Sequence, residues 1–345
     1  MAGRLVILAP NWLGDAVLAL PAVADIRRAW PGSPIAVAAR ASIAPLFHLV
    51  RDVDEVVTLP GPGWRQQRRQ RHERHESHRG TSLADRGFEI ALLLPNSWHA
   101  ALTAARARIP ERWGYRADWR GGLLTRAIER PPAVHQAAYY QHLVRALGFP
   151  NGAMEPRLPV PDGARESGVA LLKSTGWDGR APLVAVAPGA AYGGAKRWPP
   201  ESFASLAVTL TEDGVRTVMV GSGSDRETAA QVLRAFEASG QTRDGVLDLV
   251  GRTDLAALAG VLAACRAVVS NDSGPMHLAA AVGTPVTAIF GATNEHRTGP
   301  LGVGHTIVAH DTWCRPCLLR ECPLDHGCMR GVEVAPVLAA TRRML

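Results

Sequence analysis

The stretch best suited to hold a phosphate group is SNDSGPMHLAAAVGTP, residues 270–285. An apolar segment ends at its first residue, and Asn271, Asp272 and Ser273 then occupy positions where helix N-caps belong. Gly274 lets a ligand approach the backbone closely, and the proline after it suits a first helical turn. Unpaired N–H groups and the helix dipole favour an anion at such a terminus. The string fits an anion site and a plain helix cap equally well.

A second stretch of small residues, PGAAYGGAKRWP at residues 188–199, also follows an apolar segment. Its small side chains give a ligand access to the backbone, while Lys196 and Arg197 supply positive charge. It differs from a Walker A loop, because Ala195 separates the last glycine from Lys196 and Arg197 replaces the Mg²⁺-binding Ser or Thr. An ATPase of that kind is excluded.

A third glycine-rich turn, GSGSD at residues 221–225, has the start of a dinucleotide-binding fingerprint. Arg226 stands where the third glycine of that fingerprint is required. Hydride transfer with a nicotinamide cofactor therefore loses its main support.

Asp15, in PNWLGD, stands at the start of the first predicted helix, after the first predicted strand. Most aspartates at such positions only cap the helix. If two domains face each other across a cleft, this turn faces the cleft, and Asp15 could take a proton from an acceptor hydroxyl. The string alone permits both interpretations.

Four of the five cysteines cluster in CRPCLLRECPLDHGC, at Cys314, Cys317, Cys322 and Cys328. Their spacing permits a zinc or iron–sulfur site, although it is not that of a standard zinc ribbon. Reduced structural thiols and a disulfide are the alternatives, and a disulfide is disfavoured in a reducing compartment. Cys265 lies in an apolar stretch and is predicted to be a core residue. We expect the cluster to be structural.

Residues 65–79 hold six Arg against Glu73 and Glu76, and so contribute +4 of the formal charge of +7. The run favours a solvated loop over a nucleic-acid patch, because only Trp64 stands beside it as an aromatic neighbour. Its histidines at 72, 75 and 78 could bind a metal only on a helix. The dispersed tryptophans are interpreted mostly as packing residues.

The chain has 345 residues, 47% hydrophobic and 20% charged, which excludes global disorder and a single small module. No apolar run reaches the roughly 18 to 20 residues of a membrane span. The N-terminus lacks a signal-peptide pattern. We therefore expect a cytoplasmic protein.

Short apolar runs alternate with helical periodicity, which predicts parallel sheets covered on both faces. The predicted strands are residues 4–9, 35–39, 56–59, 89–94, 183–187, 215–220, 266–270 and 285–290. Residues 149–163 contain four prolines and no helical period, as an interdomain linker would. We predict an α/β protein with doubly wound domains at residues 1–150 and 164–325, and a C-terminal helix at 326–345.

Several strings together resemble the ADP-heptose:lipopolysaccharide heptosyltransferase family, glycosyltransferase family 9, and most of all its type II branch. The resemblance runs from about residue 4 to residue 329, through NWLGDAVLALPAV, LLLPNSWHAAL, RWGYRADWRGGLL, PGAAYGGAKRWP, SNDSGPMHLAAAVGTPVTAIFGATN and CRPCLLRECPLDHGCM. It implies the GT-B fold, two Rossmann-like domains facing across a cleft, with the acceptor in the first and ADP-heptose in the second. It also implies transfer of L-glycero-D-manno-heptose to the lipopolysaccharide inner core, as the second heptose, with inversion.

The resemblance also assigns roles to individual residues. It makes Asp15 the general base and Lys196 a ligand of the diphosphate. The other donor-binding residues it implies are Asp272 at the heptose hydroxyls, Ser273 and Gly274 at the phosphates, His277 beside that turn, Thr253 near adenosine, and Asp225 or Glu227 at the ribose. No cofactor and no metal are expected.

Other activities fit the same fold. They are a GT-B enzyme using a different sugar nucleotide, a sugar-nucleotide epimerase, and a non-catalytic nucleotide-binding regulator. The resemblance implies as partners ADP-heptose and a lipopolysaccharide inner-core acceptor at the inner membrane surface, and not nucleic acid. It also implies a peripheral position at the inner face of the inner membrane.

Overall fold

The computed structural model describes residues 3–60 and 83–345. The chain forms two compact units, Met1–Met154 and Glu155–Leu345. The boundary falls inside the proline-rich segment predicted as a linker. The Arg/His-rich stretch at residues 65–79, with its three histidines and the neighbouring tryptophan, lies outside the described residues.

The first unit is built on one sheet. Its strands are β1 (Leu5–Leu8), β2 (Ile35–Arg40), β3 (Glu55–Leu59), β4 (Ile90–Leu93), β5 (Glu111–Tyr115) and β6 (Arg126–Ile128). The helices described in this unit are α1 (Leu13–Leu18), α2 (Leu20–Ala29), α3 (Ala44–Phe47), α4 (Trp98–Arg106) and α5 (Gln136–Ala146). The strand order is β3-β2-β1-β4-β5-β6, and every neighbouring pair is parallel.

The second unit repeats this plan. Its strands are β7 (Leu183–Ala187), β8 (Arg216–Met219), β9 (Val246–Asp248), β10 (Ala267–Asn271), β11 (Val286–Phe290) and β12 (Thr306–Ala309). Its helices are α6 (Asp162–Ser174), α7 (Pro200–Glu212), α8 (Arg226–Ala238), α9 (Leu255–Ala264), α10 (Gly274–Val282), α11 (Glu295–Thr298), α12 (Gly327–Arg330) and α13 (Val334–Arg342). The sheet has the order β12-β11-β10-β7-β8-β9 and is also parallel throughout.

The central strands of both sheets are buried along their whole length, as β1, β4, β7, β10 and β11 show. Strands covered on both faces need apolar side chains at every position, which is why they read as continuous apolar runs. The predicted α/β class with two doubly wound sheets is confirmed. In each sheet the strand order reverses at one point, between β1 and β4 and between β7 and β10, and ligands bind beyond the carboxyl ends of the strands there.

The C-terminal residues 326–345 form two helices, α12 and α13, and not the single predicted helix. The chain breaks its helical course at Gly331, whose backbone packs so closely on the ring of His310 that a Cβ would overlap it. Among residues 3–60 and 83–345, no helix has the length and apolar character to cross a membrane.

Helices α6 and α9 touch through their glycines, and this contact carries a stability prediction. A Cβ at Gly168 would overlap backbone atoms of Gly260 and Val261, whereas a Cβ at Gly163, in the same helix, meets nothing. Gly168→Ala should therefore lower the free energy of unfolding by about 1 to 3 kcal/mol. Gly163→Ala should be neutral or stabilising by up to about 1 kcal/mol. Chemical denaturation of both variants tests this, and equal stabilities would refute the close packing.

Candidate active site

An ion pair lies where the strand order of the second sheet reverses. Lys196, after β7, places its Nζ 2.6 Å from Oδ2 of Asp272, after β10. Thr293 and Thr298, which follow β11, donate hydrogen bonds to the same oxygen at 2.6 and 3.3 Å. The side chains of Lys196 and Asp272 are only 12% and 5% exposed. Three loops thus converge on one carboxylate at the ligand-binding edge of the sheet.

Asn271 fixes the geometry of these loops. It is the last residue of β10 and fully buried, and not a helix cap as the sequence suggested. Its Oδ1 accepts a hydrogen bond from the backbone N–H of Trp198 at 3.0 Å, and its Nδ2 donates to the carbonyl of Pro188 at 2.9 Å. One amide side chain therefore joins both ends of the loop that carries Lys196 to the end of β10.

The N-terminus of helix α10 lies beside the ion pair. Ser273 is the N-cap residue, but its side chain does not cap the helix and lies 3.1 Å from the hydroxyl of Ser270. Gly274 begins the helix, and Nε2 of the buried His277 lies 3.9 Å from Oδ1 of Asp272. Backbone N–H groups and a lysine are therefore close together here, an arrangement that suits a diphosphate.

The loop with Lys196 packs against the cysteine-rich segment. The backbone N–H of Ala195 donates to the carbonyl of Arg320 at 3.0 Å, and the Tyr192 hydroxyl donates to the carbonyl of Leu318 at 2.7 Å. Nζ of Lys196 lies 4.7 Å from the centre of the Tyr192 ring. The cysteine-rich segment thus packs against the loop that carries Lys196 and supports it.

None of the five cysteines forms a disulfide bond in the structure. Burial raises the pKa of the Cys328 thiol, and the neighbouring thiols of Cys314, Cys317 and Cys322 raise it further. In the described part of the chain, no group of three or more His, Cys, Asp or Glu side chains is arranged to hold a metal ion. Cys265 is buried, as predicted, and burial raises the pKa of its thiol to about 12.

Two further residues predicted to bind the donor lie on the same edge of the sheet, after β8 and β9. The Asp225 carboxylate is buried and accepts hydrogen bonds from the N–H and hydroxyl of Ser222, at 2.8 and 2.7 Å. Glu227, the alternative, is exposed and pairs with Arg234. Thr253 lies in the turn before α9. The Asp225 carboxylate therefore stabilises the turn that contains it. The contacts of Asp225 or Glu227 with the ribose, and of Thr253 with adenosine, stay predictions.

In the first unit, Asp15 lies in the first turn of α1 and not at the N-cap, which is Trp12. The hydroxyl of Tyr140, on helix α5, donates to Oδ1 of Asp15 at 3.4 Å. Burial, followed by the charge of Asp15, raises the pKa of Tyr140 well above its usual value. Tyr140 therefore stays protonated and orients the carboxylate, which lies after β1, where the order of this sheet reverses.

Sequence reasoning missed three partners in these sites, namely Thr293, Thr298 and Tyr140. Thr293 follows closely after a buried strand, and that position could have identified it, whereas Thr298 is the last residue of the short helix α11. Tyr140 lies in the middle of a helix, 125 residues from Asp15, and no local pattern indicates it.

Comparison with known proteins gives concordant results. The model of glycosyltransferase family 9 (heptosyltransferase) matches residues 78–327. Lipopolysaccharide heptosyltransferase 2 of Salmonella typhimurium is 32% identical over 311 residues, which cover 86% of this chain and 85% of that protein. The Escherichia coli protein of the same name is 31% identical over 86% of this chain and 85% of its own length.

Solved structures agree with the sequence comparison. The structure of E. coli ADP-heptose lps heptosyltransferase II superimposes with a TM-score of 0.82 at 26% identity, covering 99% of this chain and 98% of that one. A glycosyltransferase family 9 structure from Veillonella parvula shares the fold, with a TM-score of 0.79 at 20% identity and coverage of 99% and 97%.

Proposed function

Because the chain belongs to glycosyltransferase family 9, the heptosyltransferases, we propose that it transfers a heptose from ADP-heptose to the inner core of lipopolysaccharide. The observation that carries the donor assignment is the Lys196–Asp272 pair beside the N-terminus of α10. The two relatives described above, at 32 and 31% identity, are named heptosyltransferase 2, which favours addition of the second heptose. A heptosyltransferase 1 of Pseudomonas aeruginosa is 29% identical over 92% of this chain, so the assay below includes the first transfer.

The second unit supplies the groups that hold the donor. When the glycosidic bond of ADP-heptose breaks, negative charge grows on the leaving diphosphate. Lys196 and the N–H groups at Ser273 and Gly274 stabilise that charge, and His277 supports the turn. Asp272, with its threonine partners, binds hydroxyls of the heptose. The sugar develops oxocarbenium character as the bond lengthens, which a nearby carboxylate favours.

The first unit supplies the base. Asp15 takes the proton from the acceptor hydroxyl as that oxygen attacks the anomeric carbon, and the attack from the face opposite ADP inverts its configuration. Tyr140 holds the carboxylate by donating a hydrogen bond to it. This unit binds the acceptor in the proposed reaction. Because the acceptor is a lipid-anchored saccharide, we place the reaction at the cytoplasmic face of the inner membrane.

One assay tests the proposed function. ADP release from ADP-heptose is measured with acceptors that carry zero, one or two heptoses, and the fastest release is expected with one. Fastest release with none would assign the first transfer. Turnover of UDP-sugars in place of ADP-heptose would support a different GT-B enzyme, and nucleotide binding without transfer to any acceptor would support a regulator.

The contact between the donor loop and the cysteine-rich segment carries a further prediction. A Cβ at Gly193 would overlap the backbone carbonyl of Arg320, so Gly193→Ala must displace the loop that carries Lys196. We expect ADP affinity to fall by about 10-fold or more, since small displacements of positioning groups are costly. Calorimetry with ADP measures this, with Gly163→Ala as the control. Unchanged affinity would show that the segment does not position the loop.

A further inference from the structure

Of the tryptophans that the structure describes in the first unit, three are exposed, although sequence reasoning assigned the tryptophans mostly to packing. Trp12, Trp98 and Trp119 are 51%, 48% and 100% exposed. In the second unit Trp198 is fully buried and Trp313 is 88% exposed. The three exposed tryptophans of the first unit follow β1, β4 and β5, which are neighbours in the sheet. Since all strands are parallel, the three tryptophans stand along one edge, the carboxyl edge. Large aromatic side chains grouped at the surface indicate a binding site.

The conformation of Trp119 adds to this argument. Asp118 and Trp119 have φ angles of 47° and 59°, in the left-handed region that residues with a Cβ seldom adopt. Such conformations cost energy and concentrate at functional sites. Because the Trp119 side chain is wholly exposed, packing against this chain does not repay that cost.

A buried arginine joins two of the turns that carry these tryptophans. Arg120 is fully buried and donates from Nε to the carbonyl of Tyr115 at 3.0 Å. Its Nη1 donates to the carbonyls of Pro95 and Ser97. One guanidinium therefore holds the turn before Trp98 to the turn that ends in Trp119. The turns that carry the two rings are thus fixed to each other by hydrogen bonds.

Side-chain contacts connect this edge of the sheet to Asp15. Asn96 donates from Nδ2 to the hydroxyl of Tyr139 at 2.8 Å, and the ring of Tyr139 lies 5.9 Å from that of Tyr140. Tyr140 in turn donates to Asp15, and Trp12 is the N-cap residue of the helix that carries Asp15. Hydrogen bonds and a ring contact therefore connect the turn before Trp98 to the proposed base.

We propose that Trp12, Trp98 and Trp119 form the surface on which the saccharide of the acceptor stacks. The inference rests on the proposed function, because that function makes a sugar hydroxyl the group that must reach Asp15. The C–H face of a pyranose packs on an indole ring, while the sugar hydroxyls and the indole N–H stay hydrogen-bonded. An aromatic surface connected to the base in this way would hold the ring whose hydroxyl reacts.

The test uses a deacylated acceptor, so that lipid contacts play no part. Each of Trp12→Ala, Trp98→Ala and Trp119→Ala is expected to raise the KM for this acceptor by about 10-fold or more, because aromatic anchors dominate binding energy. The KM for ADP-heptose should stay unchanged. The matched variant Trp119→Phe keeps an aromatic face and should recover most of the affinity lost in Trp119→Ala. Unchanged acceptor KM in all three alanine variants would overturn the proposal.

A binding measurement separates this proposal from the proposed function. Quenching of tryptophan fluorescence by the deacylated saccharide needs no turnover. If the saccharide quenches the wild-type fluorescence, and quenches that of the alanine variants less, the proposed stacking surface is supported. This holds even if the wild-type chain releases no ADP. Absence of quenching in the wild type overturns it. If the alanine variants lose binding to phospholipid vesicles while they still bind the saccharide, the proposal is also overturned. The tryptophans would then contact the lipid surface.

Discussion

Asp15→Asn is expected to lower turnover on the true acceptor by roughly 100-fold or more, the usual scale for loss of a general base. Asn keeps the size of the side chain, and its carbonyl oxygen can accept the hydrogen bond that Tyr140 donates to Asp15. The fold should therefore survive, and so should the affinity for ADP-heptose. Single-turnover kinetics and calorimetry on the same preparation measure the two quantities.

The alternative, that Asp15 only stabilises the start of α1, predicts a different result. A carboxylate in the first turn of a helix gains roughly 0.3 to 1 kcal/mol from the helix dipole, so its loss would shift stability slightly and leave turnover near normal. Near-normal turnover of Asp15→Asn would remove the residue from the mechanism.

The central strands could be predicted from the sequence because burial on both faces leaves a local signature. Residues 183–187 were predicted as a strand and form β7 with the same bounds. Strands β5, β6, β9 and β12 were missed. β6 and β9 have three residues each, and β5 carries Glu111, Arg112 and a glycine, so none of these shows a continuous apolar run. These strands are defined by their pairing with neighbouring strands, and a local sequence pattern does not show that pairing.

In the candidate sites, too, some features could be predicted from the sequence and others could not. Positions after strands directed attention to Asp15, Lys196 and Asp272, since the topology of parallel sheets gathers such residues at one edge. The ion pair between Lys196 and Asp272 joins residues 76 apart in sequence, and only the strand order brings them together. Trp119 was misjudged for a related reason. Tryptophan is usually well buried, and only the fold shows that the Trp119 side chain is exposed.

Lys196→Ala is expected to weaken binding of ADP and ADP-heptose by roughly 10- to 100-fold, because a charge-assisted contact to phosphate is typically worth about 1.5 to 3 kcal/mol. The loss should be smaller for adenosine, which has no phosphate. Lys173, the other lysine of the chain, is exposed on α6, and Lys173→Ala is the matched control. Calorimetry with the three ligands measures the losses, and equal losses for all of them would remove Lys196 from the diphosphate site.

The ion pair with Asp272 complicates the interpretation of binding by Lys196→Ala, because this variant leaves a nearly buried carboxylate without its cation. Breaking such a pair can cost about 3 to 5 kcal/mol of stability, so thermal unfolding must accompany the binding data. The double variant Lys196→Ala/Asp272→Asn separates the two roles, because it removes the uncompensated charge. If Lys196 contacts the diphosphate directly, the double variant stays weak for ADP while it regains stability. If Lys196 only neutralises Asp272, ADP affinity returns with the stability, and the proposed diphosphate contact is wrong.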